Sequence, residues 1–124
     1  MKLKDIVEVL NAKVLTPEIY DPDYEVNFAF ASDLMSDALM LLRTAPTDFF
    51  EKGLLITGLA TNQSIRTAEM LDFEVVIMVR NKMPNQSVLD GAIDSNIVVL
   101  TSSCSMFSTS GILWKNGVRG ITDL

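Results

Sequence analysis

The stretch VVIMVRNKMPNQSVLDGAIDSNIVVL, residues 75–100, decides the fold class of this chain. It begins with the β-branched run 75–79, continues through a polar loop into a helical pattern at about 86–95, and ends in a second apolar run at 97–100. Two short apolar strands joined by a helix are typical of a parallel sheet that is buried on both faces. Residues 75–100 therefore predict a strand–helix–strand unit.

The same alternation continues on both sides of this unit. Towards the N-terminus, an apolar strand at 54–57 is followed by the loop 58–61 and a helix at about 62–71. Towards the C-terminus, a hydroxyl-rich loop at 101–104 is followed by a helix at about 105–115. Repeated strand–helix units predict an α/β fold: a layered, mostly parallel sheet of about four to six strands, with helices on both faces.

The N-terminal region is less regular. It opens with apolar residues at the spacing of one helical face, namely Leu3, Ile6, Val7 and Leu10. This spacing predicts a short amphipathic helix. We expect a short strand at 12–15, a surface connection at 16–24 and a strand at 25–31 that enters the sheet. Residues 118–121 are a candidate edge strand.

A further helix is predicted at 34–43, where Ser32 and Asp33 supply capping chemistry. This segment is apolar nearly all round, whereas a surface helix needs only one apolar stripe. Its second apolar face is either buried within the chain or covered by another copy. We favour the second alternative and expect an isologous homodimer.

Composition and charge argue against several classes of protein. The 124 residues suit one domain, which we predict to span 1–124. The net charge of −6 argues against binding to nucleic acid or to an anionic membrane. The single cysteine, Cys104, is typical of a reducing compartment. Neither a signal peptide nor an apolar run of about 20 residues is evident, so we expect a cytoplasmic protein.

The chain contains no histidine, and with one cysteine it offers no ligand set for zinc or iron. Neither the glycine–lysine phosphate loop nor the glycine-rich dinucleotide fingerprint occurs. We therefore predict a protein that is not an enzyme and needs no metal or cofactor. The alternative is an enzyme that uses Asp33, Asp37 or Cys104. An aspartate in the first turn of a helix and a lone cysteine after a strand are, however, common structural features.

The carboxyl ends of parallel strands share one edge of a sheet, and ligands of α/β proteins bind outside that edge. Four loops are predicted to meet there, each leading into a helix whose free N–H groups favour an anion. The polar residues predicted to line the edge are Ser32, Asp33, Thr61, Asn62, Arg80, Asn81, Lys82, Thr101, Ser102 and Ser103. The pattern favours a small anionic ligand. Alternatively, these serines, threonines and asparagines are only helix caps and turn formers.

Five segments, 1–7, 31–37, 65–70, 79–84 and 105–114, resemble stand-alone DRTGG-domain proteins in the same order along the chain. That family is similar to the N-terminal domain of HPr kinase/phosphorylase, and its fold resembles the N-terminal domain of a muramyl ligase. The resemblance implies a regulatory or ligand-sensing domain, often dimeric, without catalysis of its own. It also implies a genomic setting beside iron-only hydrogenase subunits and small histidine-kinase-like proteins.

The residues that give the family its name are replaced in this chain. Leu59 and Ala60 stand where the family has Asp-Arg, and Val79, Arg80 and Asn81 stand where it has Thr-Gly-Gly. The kinase activity of the larger family members is not implied, because it resides in a separate phosphate-loop domain.

Two functional hypotheses follow from these observations. The first is a non-enzymatic regulatory or sensor domain that binds a small anionic ligand, for example a nucleotide, at the carboxyl edge of the sheet. The second is a dimeric interaction module that docks a hydrogenase-type redox enzyme or a kinase and binds no small molecule.

Overall fold

The computed structural model describes residues 1–46 and 50–120, and it contains a five-stranded sheet. The strands are β1 (Lys13–Val14), β2 (Phe28–Ala31), β3 (Gly53–Thr57), β4 (Val75–Met78) and β5 (Val98–Thr101), in the spatial order β1-β5-β4-β3-β2. Strands β2 to β5 are parallel to one another, and β1 pairs with β5 in the antiparallel direction. The predicted α/β fold with a mostly parallel sheet is confirmed.

Six α-helices and one 3₁₀ turn are present among the described residues. They are α1 (Leu3–Leu10), the 3₁₀ turn Pro17–Ile19, α2 (Met35–Leu39), α3 (Leu41–Thr44), α4 (Asn62–Met70), α5 (Gln86–Asp94) and α6 (Met106–Lys115). None of them is long and apolar enough to cross a membrane.

The order of the strands explains how the helices divide between the two faces. Because β2 to β5 follow one another in sequence order, right-handed crossovers place α2, α4 and α5 on the same face. Ala38, Ala68 and Ala92 of these helices are fully buried in one core cluster. Ile6 of α1 and Leu113 of α6 belong to a second cluster on the other face. Helices therefore cover both faces, as the sequence predicts.

The short apolar runs form strands because both of their faces are buried. All residues of β3, β4 and β5 are buried. Val76 and Val99 contribute to the first core cluster, whereas their neighbours Val75 and Val98 contribute to the second. Alternate residues of one strand thus enter opposite cores, which requires an apolar side chain at nearly every position.

The helix predicted at 34–43 is divided in two at Met40. The Met40 N–H donates to the Asp37 carbonyl at 3.2 Å, and the Arg43 N–H donates to the Met40 carbonyl at 3.0 Å. Both hydrogen bonds join an N–H to the carbonyl three residues earlier, as in a 3₁₀ helix. This tighter winding ends α2 before α3 begins. On the core side, α2 and α3 bury Met35, Ala38 and Leu41.

The prediction that Ser32 and Asp33 cap this helix is wrong. The N-cap of α2 is Leu34, which makes no capping bond through its side chain. The Ser32 hydroxyl accepts a hydrogen bond from the Leu34 N–H in a local turn. The Asp33 carboxylate instead accepts hydrogen bonds from the Gly58 N–H and the Thr57 hydroxyl, at the end of strand β3.

The segment predicted as a surface connection contains one buried anchor. Thr16 is fully buried, and its hydroxyl accepts a hydrogen bond from the Val99 N–H at 3.0 Å. Strands 12–15 and 25–31 are shorter than predicted, although Glu25 forms an isolated bridge with Lys2. In the candidate edge strand 118–121, Arg119 bridges Phe28 in the parallel direction, and residue 121 lies outside the described residues.

Candidate ligand site at the carboxyl edge of the sheet

The pairing register brings the four predicted loops to one edge of the sheet. Ala31 lies opposite Ile56. Thr57 lies opposite Met78, which in turn lies opposite Thr101. The residues that follow these positions therefore emerge side by side at the carboxyl ends of the strands. We call this surface the carboxyl edge.

The loop after β4 holds two consecutive residues in the left-handed region of the backbone. Arg80 has a φ of 57° and Asn81 a φ of 55°. The loop is held by its neighbour after β5, since the Arg80 N–H donates to the Cys104 carbonyl at 2.9 Å and the Asn81 N–H to the Ser102 carbonyl at 2.8 Å. These bonds offset the cost of the left-handed conformation, which is about 1–2 kcal/mol for a residue with a side chain.

A carboxylate and a guanidinium meet above Gly58. The Gly58 N–H and the Thr57 hydroxyl both donate to Asp33 Oδ1. A Cβ placed on Gly58 would lie 2.8 Å from Arg80 Nη2 and 3.1 Å from Asp33 Oδ1. Glycine at this position therefore leaves room for the Arg80 guanidinium to lie where it does. The loops after β2, β3 and β4 thus converge on one point.

Arg80 and Asp33 nevertheless form no ion pair. The ion pairs found among the described residues all lie near the N-terminus and the segment 23–25, and they are Met1–Glu25, Lys2–Asp23 and Lys4–Asp23. Arg119 offers a contrast, because its guanidinium stacks 4.2 Å from the centre of the Trp114 ring and donates to the Trp114 carbonyl. The Arg119 guanidinium is thus held by contacts within the fold, whereas the Arg80 guanidinium has no ion-pair partner among the described residues.

Two of the predicted hydroxyls serve the fold. Thr101 is buried, and its hydroxyl donates to the Lys82 carbonyl at 2.8 Å. Ser102 is also buried, and its hydroxyl donates to the Leu10 carbonyl at 3.3 Å. Both bonds support the loops of the carboxyl edge from below, whereas Ser103 in the same loop is exposed.

The loop after β3 places its predicted residues to one side. Thr61 is the N-cap of α4 but makes no capping bond through its side chain. Asn62 contributes to a groove between α4 and α5, where its Oδ1 lies 3.8 Å from the position of a Cβ on Gly91. The structure thus brings Asp33 and Arg80 together, whereas Asn62 lies in the groove between α4 and α5.

Sequence reasoning missed the position of Gly58 under Arg80, and it also missed the exposure of Phe107. Phe107 lies in the first turn of α6, three residues after Cys104, and is 87% exposed. Its side chain falls outside the buried stripe of α6, which contains Thr109 and Leu113. An aromatic residue off the apolar stripe of a predicted helix was the available signal.

Two pockets of the structure do not include Asp33 or Arg80 in their lining. A cavity of about 180 Å³ lies between β2 and α6 and is lined in part by Trp114 and Arg119. Another pocket, of about 460 Å³, lies at the opposite edge beside Tyr24 and Glu74. The parallel strands follow sequence order without a reversal, so the sheet lacks the switch point at which α/β folds usually form a crevice.

The residues considered for catalysis do not form a group. Asp37 is exposed on α2, and Cys104 is partly buried with its N–H bonded to the Ser102 hydroxyl. Within residues 1–46 and 50–120, no three cysteine, aspartate or glutamate side chains are grouped so that they could hold a metal ion.

Comparison with solved structures finds a similar fold. The crystal structure of the CBS and DRTGG domains of the regulatory region of Clostridium perfringens pyrophosphatase, complexed with its activator diadenosine tetraphosphate, matches with a TM-score of 0.66 and 18% sequence identity. The match covers 90% of this chain and 45% of that chain. At this identity the likeness shows the fold. No family model and no curated protein matches the chain.

Proposed function

We propose that this chain is a DRTGG-like regulatory domain that binds a small anionic ligand at the carboxyl edge and has no catalytic activity of its own. The observation that carries the proposal is the position of Arg80, whose guanidinium lies over Gly58 and has no ion-pair partner among the described residues. The pyrophosphatase region with the similar fold is regulatory and was crystallised with a nucleotide activator, which supports the same kind of role here.

The backbone of the loop supports this proposal. Left-handed residues other than glycine are costly, and such strain is concentrated at binding and catalytic sites. Six non-glycine residues of the described part of the chain are left-handed, and Arg80 and Asn81 are the two that are consecutive; Lys82 follows them on the surface. Two cations are thereby displayed on a chain of net charge −6, which makes this edge suitable for an anion.

The proposal is tested by removing the two cations. We expect the double substitution Arg80→Ala and Lys82→Ala to weaken pyrophosphate binding by at least about 100-fold, because two charge-assisted hydrogen bonds are lost. Calorimetric titration measures this. The matched control is Arg66→Ala with Lys115→Ala, which changes the net charge equally at two exposed helical positions. Equal binding by the test and control proteins would place the anion site elsewhere.

The absence of catalysis is also part of the proposal. The chain has no histidine, and Asp33 Oδ1 already accepts two hydrogen bonds. The specific relationship to the N-terminal domain of HPr kinase/phosphorylase, the cytoplasmic location and the single domain 1–124 stay predictions. When the protein is incubated with nucleotides for a long time, we expect the nucleotides to be recovered unchanged. Conversion of a nucleotide to a product would contradict the non-enzymatic role.

A second candidate function is a dimeric interaction module that docks a redox enzyme or a kinase. The observation that favours it is the exposure of large apolar side chains around α2 and α3, where Leu34 is 57%, Met40 50% and Leu42 51% exposed. We expect Met40→Lys with Leu42→Lys to dissociate such a dimer while leaving the far-UV spectrum unchanged. Sedimentation that gives a monomer for the unsubstituted chain at all concentrations would exclude this dimer.

A further inference from the structure

Small side chains form one wall of the cavity between β2 and α6. Ala29 and Ala31 of β2 line it, together with Ile56 of the neighbouring strand β3. The alternate residues of β2, Phe28 and Phe30, pack against the first core cluster on the other face of the sheet. Strand β2 thus gives large side chains to one core and only methyl groups to the other. The space of about 180 Å³ lies on the side with the methyl groups.

The opposite wall of the cavity is mainly apolar as well. Leu113, Trp114 and Val118 line it, and the polar side chains in its described lining are Ser110 and Arg119. Leu113 and Val118 are buried, whereas Trp114 is 47% exposed, so the indole ring lies at the mouth. An apolar cavity of about 150 Å³ can hold a benzene molecule. This space therefore has room for a single ring or a short branched chain.

A positioned cation lies at the same mouth. The Arg119 guanidinium stacks 4.2 Å from the centre of the Trp114 ring, and its Nη1 donates to the carbonyls of Trp114 and Val118 at 3.1 and 3.2 Å. Among the described residues, Nη2 and Nε of Arg119 make no hydrogen bond, and the guanidinium has no ion pair. A guanidinium that is held in place with donors to spare is suited to a carboxylate, which it can bind through two parallel hydrogen bonds.

We propose that this cavity binds a small carboxylate with an apolar body, of about the size of benzoate. The apolar body lies over Ala29 and Ala31, and the carboxylate is bonded to Arg119 at the mouth. A phosphate group fits this place poorly, because apolar walls would strip water from a doubly charged group without replacing it. The site is separate from the anion site of the proposed function, since neither Asp33 nor Arg80 lines the cavity.

Benzoate and its neutral isostere benzamide are the probes. The chain has a single tryptophan, so the Trp114 indole N–H gives one signal of its own in a ¹⁵N spectrum. We expect benzoate to shift this signal saturably and to leave the amide signal of Gly91, in the groove between α4 and α5, in place. Benzamide should bind about tenfold more weakly, because it lacks the charge-assisted hydrogen bonds. No saturable shift with benzoate, or equal affinities for the two probes, would overturn the proposal.

The substitution Arg119→Gln separates a role in binding from a role in the fold. We expect it to lower benzoate affinity about tenfold and to leave benzamide affinity unchanged, because only benzoate carries the charge. Equal losses for both probes would mean that Arg119 supports the fold alone, and would overturn its assignment to the carboxylate. The matched control is Arg66→Gln, which removes the same charge from an exposed position on α4.

Filling the cavity tests its location. Ala31→Leu should weaken the binding of both probes by at least about tenfold, since the larger side chain takes up the space of the apolar body. The matched control is Ala12→Leu, because Ala12 is also a partly buried alanine against the second core cluster but does not line the cavity. Far-UV spectra check that both variants fold, and Ala29→Val makes the same test with a smaller change. Equal benzoate affinities for the test and control variants would overturn the location.

Pyrophosphate distinguishes this cavity from the carboxyl edge. We expect benzoate to bind the unsubstituted chain with the same affinity in the presence and absence of saturating pyrophosphate. Displacement of benzoate by pyrophosphate would place both at one site, and it would overturn this inference while leaving the proposed function intact. Failure of the chain to bind pyrophosphate would count against the proposed function, and the results with benzoate and benzamide would still decide the present inference.

Discussion

Strand β3 has a glycine at its first residue and another just past its last, and the two accommodate different neighbours. Gly53 lies under the ring of Phe73, which is 1% exposed and held in the core. Gly58 lies under the end of the Arg80 side chain, which is exposed. A buried ring cannot move away from an added methyl group, whereas a flexible guanidinium can. One glycine therefore serves packing, and the other leaves space for a charged group.

Gly53 lies at the edge formed by the amino ends of the strands, and Gly58 lies at the carboxyl edge. These two edges differ in the charges that they display. At the amino edge, a pocket of about 460 Å³ is lined by Tyr24, Glu51, Lys52, Asp72 and Glu74, with Phe50 beside them. Its charge is mainly negative, so an anion would be repelled. The carboxyl edge displays Arg80 and Lys82, which have no ion-pair partner among the described residues. Under the proposed function, the charge left unpaired by the fold marks the anion site, and the volume of a pocket does not.

The largest effect on this comparison is expected from Gly53→Ala. An added Cβ would clash with the Phe73 ring, so the free energy of unfolding should fall by about 1–3 kcal/mol. Urea denaturation measures this change. The matched control is Gly111→Ala in α6, where no atom lies within 4 Å of the added Cβ, and this change should stabilise the fold by about 0.5–1 kcal/mol. Equal stabilities for the two variants would refute the packing role of Gly53.

A smaller effect is expected from Gly58→Ala at the other end of the strand. The added Cβ displaces the Arg80 guanidinium, so pyrophosphate affinity should fall about tenfold. The free energy of unfolding should change by less than about 0.5 kcal/mol, because the displaced group is an exposed side-chain end. Titration and denaturation of the same preparation test both parts. A large loss of stability would mean that the two ends of β3 do not differ as described.

The smallest effect concerns alkaline pH at the amino edge. Burial raises the pKa of Tyr24 above 10.0, and a hydrogen bond with Glu74 raises that pKa further. The unfolded chain therefore loses the phenol proton first as pH rises, so this stabilisation is complete below pH 10.0 and is lost above it. We expect Tyr24→Phe to flatten the decline of the unfolding midpoint above about pH 10. Arg80→Ala, at the carboxyl edge, should leave that decline unchanged, and the same slope in Tyr24→Phe would contradict the assignment.

The sheet was predictable because its signal is local. Residues 75–78 and 98–101 are buried on both faces, so each segment is apolar at nearly every position, and this pattern is visible without knowledge of its neighbours. The position of the carboxyl edge was predictable because parallel strands place all of their carboxyl ends at the same edge of a sheet. The division of the helix at Met40 was not predictable, because its side chain is as compatible with a helix as those around it.

The details of the candidate site depend on contacts between distant segments. Asp33 precedes a helix, and its sequence context does not distinguish a bond to that helix from a bond to Gly58, 25 residues away. The Ser102 hydroxyl is bonded to the Leu10 carbonyl, 92 residues away. Arg80 and Asn81 are left-handed without any glycine to indicate it. Each of these features depends on contacts between segments that are distant along the chain, and local sequence patterns do not reveal such contacts.

The way in which the sheet ends on each side has a consequence for behaviour in concentrated solution. One side terminates in β1, which has only two residues and runs antiparallel to its neighbour. On the other side, Arg119 bridges Phe28 beside β2, and the Ala29 N–H donates to the Arg119 carbonyl. Short or covered borders offer few free backbone groups to a strand of another molecule. We therefore expect resistance to amyloid-like stacking.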